Sequence, residues 1–234
     1  MVTSNIDIIM PVKDSIDSAE EAIKAIINAG HTLTVYNDNS TSANTHRLQS
    51  LAKKLQFQLV NIGEQTDHPS PNYRWVLQQA QQHAIETNAH LVIVESDVIV
   101  AHDTIQRLIE QADTGIGMVA AVTTNEQGKV NFPYQYARHW RKAIHNTHKR
   151  LSFCCTLITN QLLHAYNFAE LDPTKNWYDV FISHQSVSLG LINLLMTDTP
   201  VIHRPHSSRP WKMLKYKRPI LYYWRKITQH TDRI

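Results

Sequence analysis

Apolar and polar positions alternate in blocks along the first hundred residues, and the blocks have two different periods. Residues 6–12 (IDIIMPV) read as a short buried strand, with Pro11 near its end, where a missing N–H costs little. Residues 15–29 follow with Ala19, Ala22, Ile23, Ile26 and Ile27 on one helical face, Ser15 or Ser18 as cap, and Gly30 as stop. The same alternation continues as a β-branched strand at 32–36, a helix at 43–55, a strand at 57–62, a helix at 73–87 and an apolar strand opening at Leu91. Strand and helix in strict turn predict a mostly parallel sheet with helices on both faces, an α/β fold.

The later chain is less regular. A helix is expected at 103–111, then two strands at 117–123 and 129–134 joined by the hairpin-type loop 125–128. Residues 135–150 are polar and basic and read as an irregular, substrate-facing segment. A strand at 151–159, a short helix to about Phe168 and a helix from Trp177 to about Leu189, stopped by Gly190, come next. Two short strands at 191–196 and 200–203 close the sequence that patterns as a fold. The expected division is a domain over 1–209 and a basic, aromatic tail or helix over 210–234.

Composition narrows the function classes. Of 234 residues 42% are hydrophobic and 18% charged, so a packed core is expected rather than disorder. The formal charge of +3 is too small to argue for nucleic acid from the total. Fourteen histidines are scattered and form no HExxH pattern. Cys154 and Cys155 are adjacent on an expected strand, so their side chains should point to opposite faces and no disulfide joins them; a reducing compartment fits. Neither a signal peptide nor a run of about 18 apolar residues is present, which makes the expected location cytoplasmic. In the tail, Lys212, Lys215, Lys217, Arg218, Arg225 and Lys226 interleave with Trp211, Tyr216, Tyr222, Tyr223 and Trp224. That mixture suits peripheral contact with an anionic membrane; a terminal helix docked on the domain is the competing reading, and no nucleic-acid partner is expected.

Three polar signals fall at the carboxyl ends of the expected strands, where open α/β sheets bind ligands: Lys13-Asp14-Ser15, Asn37-Asp38-Asn39-Ser40 and Glu95-Ser96-Asp97. The last interrupts the apolar stretch LVIVESDVIV with two carboxylates spaced i, i+2. Buried carboxylates need partners or a metal, although a solvated strand end would also explain them. No GxGxxG follows the first strand and no GxxxxGK[ST] occurs, so the glycine-loop nucleotide sites lose their support.

Taken in order, IDIIMPVKDS, VYNDNST, VIVESDV, NWYDVFISHQSVSLG and PVIHRPHSS resemble the stretches that mark the GT-A glycosyltransferases of the inverting family 2. The resemblance implies a GT-A-like, Rossmann-type sandwich with a smaller antiparallel acceptor-side portion. It also implies a nucleoside diphosphate sugar donor, a saccharide or lipid-linked acceptor in surface polysaccharide or glycolipid synthesis, and Mn²⁺ or Mg²⁺. Under it, Pro11 and Val12 lie by the nucleotide base, Asp38 bonds base or ribose, and Asn72 and Arg74 contact the donor. Glu95 and Ser96 lie near the ribose. Asp97 and His203 bind the metal, with His206 the alternative to His203. Asp179 is the general base, with Trp177 and Tyr178 as stacking candidates. The sequence departs from the family pattern with Glu95 opening the acidic motif, Lys13 after the first strand, and Phe181 and Ile182 on the acceptor-side helix. A nucleotidylyltransferase and a non-catalytic nucleotide-binding module are the alternatives.

Overall fold

The structure, a computed structural model, describes residues 5–175 and 177–204, and in the tail residues 218, 220, 221 and 224. The chain divides into two units, Met1–Arg204 and Pro205–Ile234. In the second, Ile220, Leu221 and Trp224 are helical, and Ile220 and Trp224 are 87% and 61% exposed. The rest of the tail, with His206, lies outside the described residues. Among the described residues no helix is long and apolar enough to cross a membrane.

The first unit opens with the expected alternation: β1 (Asn5–Val12), α1 (Ile16–Asn28), β2 (Thr34–Asn37), α2 (Ser42–Leu55), β3 (Gln58–Asn61), α3 (Tyr73–Glu86) and β4 (Ala89–Val94). It continues with β5 (Val98–Ile99), α4 (Thr104–Ile109), β6 (Ile116–Thr124), β7 (Ile144–Asn146), β8 (Cys155–Ile158), α5 (Asn160–Ala165), α6 (Tyr178–Ser188) and β9 (Ile192–His203). One sheet takes all the strands in the order β3-β2-β1-β4-β8-β6-β9-β5, with β7 also on β9. Pairings from β3 to β4 are parallel, as is β6 with β9; β8 and the two short strands on β9 pair antiparallel. This is the α/β sandwich that the alternation predicts, with its antiparallel portion in the later half.

The apolar run of β4 explains why a sheet buried on both faces needs no polar alternation. Val92 and Val94 join a core with Ile23 and Ile26 of α1 and Leu48 of α2. Leu91 and Ile93 join the opposite core with Leu77 and Ala80 of α3 and Ile182 of α6. Pro11 lies beyond the last β1–β4 pair, Ile9↔Ile93, so β1 has only β2 beside it there. Gly117 of β6 lets α6 come close: a Cβ at that position would stand 1.9 Å from Ser186 Oγ.

Several expectations in the later half are corrected. Residues 129–134 form no strand. The 125–128 turn closes, but only Thr124↔Val130 bridges, because Pro133 has no N–H to donate and Thr123 Oγ1 donates to the carbonyls of Asn131 and Phe132. The two strands expected at 191–196 and 200–203 are one, β9. Its ladder with β6 jumps from Ala121↔Met196 to Thr123↔Val201, which leaves the exposed Pro200 in the irregularity, where no donor is needed. The basic segment contains β7, which pairs with β9. The strand expected from 151 begins only at Cys155. The preceding residues are a buried loop held by Ser183 Oγ accepting from Leu151 N–H and by Tyr134 Oη accepting from Ser152 N–H. Cys154 therefore precedes β8, and both cysteines are free, buried and packed in the same core.

The β1–α1 turn supports the start of α2. Asp14, at φ 53°, accepts from Thr41 N–H at 2.7 Å and Asn44 Nδ2 at 3.1 Å. Slight burial pushes its carboxyl up, but these hydrogen bonds and Lys13 outweigh that and hold it below its ordinary value. Asp14→Ala should therefore lower stability by about 1 kcal/mol, the usual worth of a helix cap. Because the folded-state pKa is depressed, this stabilisation is present above the unfolded-state value and is lost as pH falls through the folded one. Denaturant unfolding of the two proteins should differ at neutral pH and converge in acid.

Candidate functional site

The carboxyl ends of β1, β2 and β4 lie side by side, and their polar residues fasten the strand ends to one another. Lys13 Nζ donates to the carbonyls of Asp38 and Asn39, each at 3.1 Å, tying β1 to β2. Ser15 Oγ and Ser96 Oγ are 3.1 Å apart and tie β1 to β4. Asp38 is buried and accepts from Ser70 Oγ at 2.7 Å, Asn72 N–H at 3.1 Å and Asn72 Nδ2 at 2.9 Å. It thereby fixes the loop that leads into α3. Val12 is buried beneath this edge, and its carbonyl accepts from Asp38 N–H. Pro11 is half-buried opposite Tyr36.

The acidic motif is completed from the far end of the unit. β5 pairs antiparallel with β9, Val98 opposite His203. That register brings His203 Nε2 to 3.5 Å from Asp97 Oδ2, both residues being buried, at 6% and 8% exposure. Arg204 N–H donates to the Asp97 carbonyl at 2.9 Å, and Asn131 Nδ2 to that of His203 at 3.0 Å. His203 Nδ1 donates to the Phe132 carbonyl at 2.7 Å, which fixes the ring and leaves Nε2 as the nitrogen that can ligate. Burial pushes the imidazole pKa down, but Asp97, Glu95 and the Phe132 carbonyl together raise it above its ordinary value.

Glu95 is held differently. Its N–H donates to the Cys154 carbonyl at 3.0 Å, and Cys154 Sγ donates to its Oε2 at 3.3 Å. Ligand atoms of Glu95, Cys154 and His203 lie within 4.8 Å of one another. Asp97 adjoins this group through His203 Nε2, and that carboxylate and imidazole are oxygen and nitrogen donors of the kind a divalent cation takes.

Asp179 stands in the first turn of α6, where Oδ1 accepts from Val180 N–H at 2.9 Å. Arg150 Nη1 lies 3.6 Å from its Oδ2. The Arg150 guanidinium also covers the rings of Phe132 at 5.7 Å and Trp177 at 6.0 Å. Phe132 thus contacts Arg150 through its ring and His203 through its carbonyl, linking Asp179 to the Asp97 side. Tyr178 is buried against Tyr73. Arg74 is turned toward the segment before α6, donating to the Ala169 carbonyl at 2.7 Å. Asn72 serves Asp38, as described.

Two residues emerge that the sequence pattern did not single out. Cys154 is one, since nothing in its neighbourhood signals that it meets Glu95. Tyr73 is the other. Its ring packs on Phe153 and Tyr178, and its buried hydroxyl has no hydrogen-bond partner among the described residues. Burial, then Glu95 and Asp179, push its pKa well above the ordinary value, so the hydroxyl stays neutral within the fields of both carboxylates. An aromatic residue directly after Asn72 at the start of α3 was the available signal.

The family model described as "Glycosyl transferase family 2" matches residues 7–166. No curated protein matches the chain by sequence. Among solved structures, glucosyl-3-phosphoglycerate synthase from Mycobacterium tuberculosis, in complex with phosphoglyceric acid, is 14% identical with a TM-score of 0.56, the match covering 94% of this chain and 79% of that one. GalNAc-T7 with UDP, GalNAc and Mn²⁺ is 10% identical with a TM-score of 0.62, covering 88% of this chain and 44% of that one. TarS of S. aureus is 11% identical with a TM-score of 0.63, covering 91% and 38%. Identities this low carry the fold alone, and the fold is that of the GT-A glycosyltransferases.

The unpaired Tyr73 hydroxyl generates a prediction about the ligand-free protein. Removing a buried polar atom that has no partner relieves an uncompensated desolvation cost. Tyr73→Phe should therefore unfold at the same or a higher denaturant midpoint, by up to about 1 kcal/mol; a clear loss of stability would mean that the hydroxyl is bonded in the folded protein.

Proposed function

We propose, from the premise that the chain belongs to glycosyl transferase family 2 and transfers a glycosyl group from a nucleotide sugar, that the transfer is inverting, metal-assisted and directed to an acceptor hydroxyl. The observation that carries this reading is the buried approach of His203 to Asp97, at the strand edge that also holds Asp38 and Glu95. In the reading, Asp97 and His203 hold Mn²⁺ or Mg²⁺ against the diphosphate of the donor. A hard cation keeps positions open for phosphate oxygens and supplies charge to the departing nucleoside diphosphate. The M. tuberculosis synthase binding Mn²⁺ with UDP-glucose, and GalNAc-T7 binding UDP with Mn²⁺, support such a pairing of ion and donor. Pro11 and Val12 take the base side. Asp38 shapes that side through Ser70 and Asn72. Glu95 and Ser96 face the ribose, and Arg74 belongs to the outer donor contacts.

Asp179 is the base that takes the acceptor proton as the new bond forms. Arg150, 3.6 Å away, would hold that carboxylate in place.

Arg150 also ends a basic stretch. Residues 138–150 include Arg138, His139, Arg141, Lys142, His145, His148, Lys149 and Arg150 and contain no acid. That run favours an acceptor carrying phosphate, such as a lipid-linked saccharide in surface polysaccharide or glycolipid synthesis. The M. tuberculosis synthase, which binds phosphoglyceric acid, also handles an anionic molecule. The basic, aromatic tail over 210–234 would hold the enzyme at the cytoplasmic face of an anionic membrane. Co-sedimentation with anionic but not neutral vesicles, weakening with salt, is the expected behaviour, and equal recovery with both would remove that part.

Incubation with a panel of nucleoside diphosphate sugars should release nucleoside diphosphate with at least one donor. The release should need Mn²⁺ or Mg²⁺ and stop on chelation. No binding or release with any donor and metal would overturn the reading. Asp179→Asn should lower turnover by about 10²- to 10⁴-fold, the usual worth of a general base, and leave donor affinity nearly unchanged. Loss of donor affinity instead would take the base role from Asp179.

A further inference from the structure

Cys154 has no part in the transfer reaction as described, yet it sits where a ligand would. Its Sγ is 3.3 Å from Glu95 Oε2, and ligand atoms of Glu95, Cys154 and His203 all lie within 4.8 Å of one another. A tetrahedral ion with ligand bonds of about 2.0–2.3 Å has ligand-to-ligand edges of about 3.5 Å. The thiol–carboxylate edge is thus already at ligand spacing, and an imidazole nitrogen of His203 lies within 4.8 Å of both.

The three residues are also held in place by the sheet. Glu95 N–H bonds the Cys154 carbonyl just beyond the β4–β8 pair Val94↔Cys155. His203 is set by its pairing with Val98, and its ring by the Phe132 carbonyl. Mn²⁺ and Mg²⁺ prefer oxygen and gain little from sulfur, whereas Zn²⁺ takes thiolate, imidazole and carboxylate together.

We propose that Glu95, Cys154 and His203 form a mixed oxygen, sulfur and nitrogen centre that binds Zn²⁺, with Cys154 as a thiolate ligand. The thiol proton leaves to solvent as the ion enters. One carboxylate and one thiolate then balance the two positive charges, and the fourth position remains for water or a phosphate oxygen. Zn²⁺ so held occupies His203 and competes with the hard cation of the transfer reaction. Only this competition rests on the proposed function; the centre itself does not.

Co²⁺ is the probe, because its bond to a thiolate gives a charge-transfer absorption in the near ultraviolet. The metal-stripped, reduced full chain should develop that band on Co²⁺ addition and lose it when stoichiometric Zn²⁺ follows. Cys154→Ser should show no band. It should also bind Zn²⁺ about ten-fold or more weakly by competition with a chromophoric chelator, a loss typical of a damaged metal site, while its affinity for Mn²⁺ holds. No band in the unsubstituted protein would overturn the centre without recourse to any variant. A band that persists in Cys154→Ser, or Zn²⁺ and Mn²⁺ affinities that fall together, would overturn it as well. Failure of nucleotide release with Mn²⁺ would count against the transfer reading alone and would leave the cobalt band unaffected.

Discussion

The contact between Asp97 and His203 is the constraint on which the rest of the site depends. Two buried ionisable side chains cost several kcal/mol in lost hydration unless each finds a partner. Here the partners lie 106 residues apart in the chain, so the pair needs β9 beside β5. β9 must run beside β6, step across the irregularity at 197–200 and continue far enough to pair with β5. The Phe132 carbonyl must then orient the ring, and that requires the 125–134 loop to leave its hairpin early. The abandoned hairpin and the irregular strand, which look like defects of regular structure, are what bring the imidazole to the carboxylate.

The same logic extends to the neighbouring strand ends. Lys13 departs from the family pattern, and the structure gives it a supporting task, bonding two carbonyls at the end of β2. Asp38 spends both carboxylate oxygens on the loop before α3, which positions Asn72 and, next to it, Tyr73. Arg150 packs against Phe132 and Trp177 while its charge faces Asp179, so Asp179 and the Asp97–His203 pair are linked through Phe132. Glu95 and Asp97, two residues apart, have different partners: a thiol for one and an imidazole for the other. Their different settings follow from those partners rather than from their own chemistry.

Much of this was legible in the sequence, for definite reasons. The first half was readable because helix and strand periods alternate cleanly and each break carries a turn residue such as Gly30. The carboxyl-end rule then places Asp38, Glu95 and Asp97 on one edge of the sheet. The second half resisted because its decisive events are long-range. Pairing of β7 with β9, or of β5 with β9, leaves no local periodic trace. Thr123 taking over the carbonyls of residues 131 and 132 is a side-chain event that propensity does not carry. In the sequence Cys154 is one of two adjacent cysteines with no disulfide expected between them, and its meeting with Glu95 depends on the β4–β8 register. The bond from Arg74 to the Ala169 carbonyl is likewise a long-range contact with no local trace.

The central claim, that Asp97 and His203 act together on one cation, has a direct measurement. Mn²⁺ affinity in the presence of nucleoside diphosphate should be determined for the unsubstituted chain, Asp97→Asn, His203→Ala and the double variant. Shared ligation predicts strongly non-additive losses, the double variant binding hardly more weakly than either single one, because removing one ligand already abolishes the joint site. Losses that simply add, or a His203→Ala protein that binds Mn²⁺ as well as the unsubstituted chain, would contradict the account.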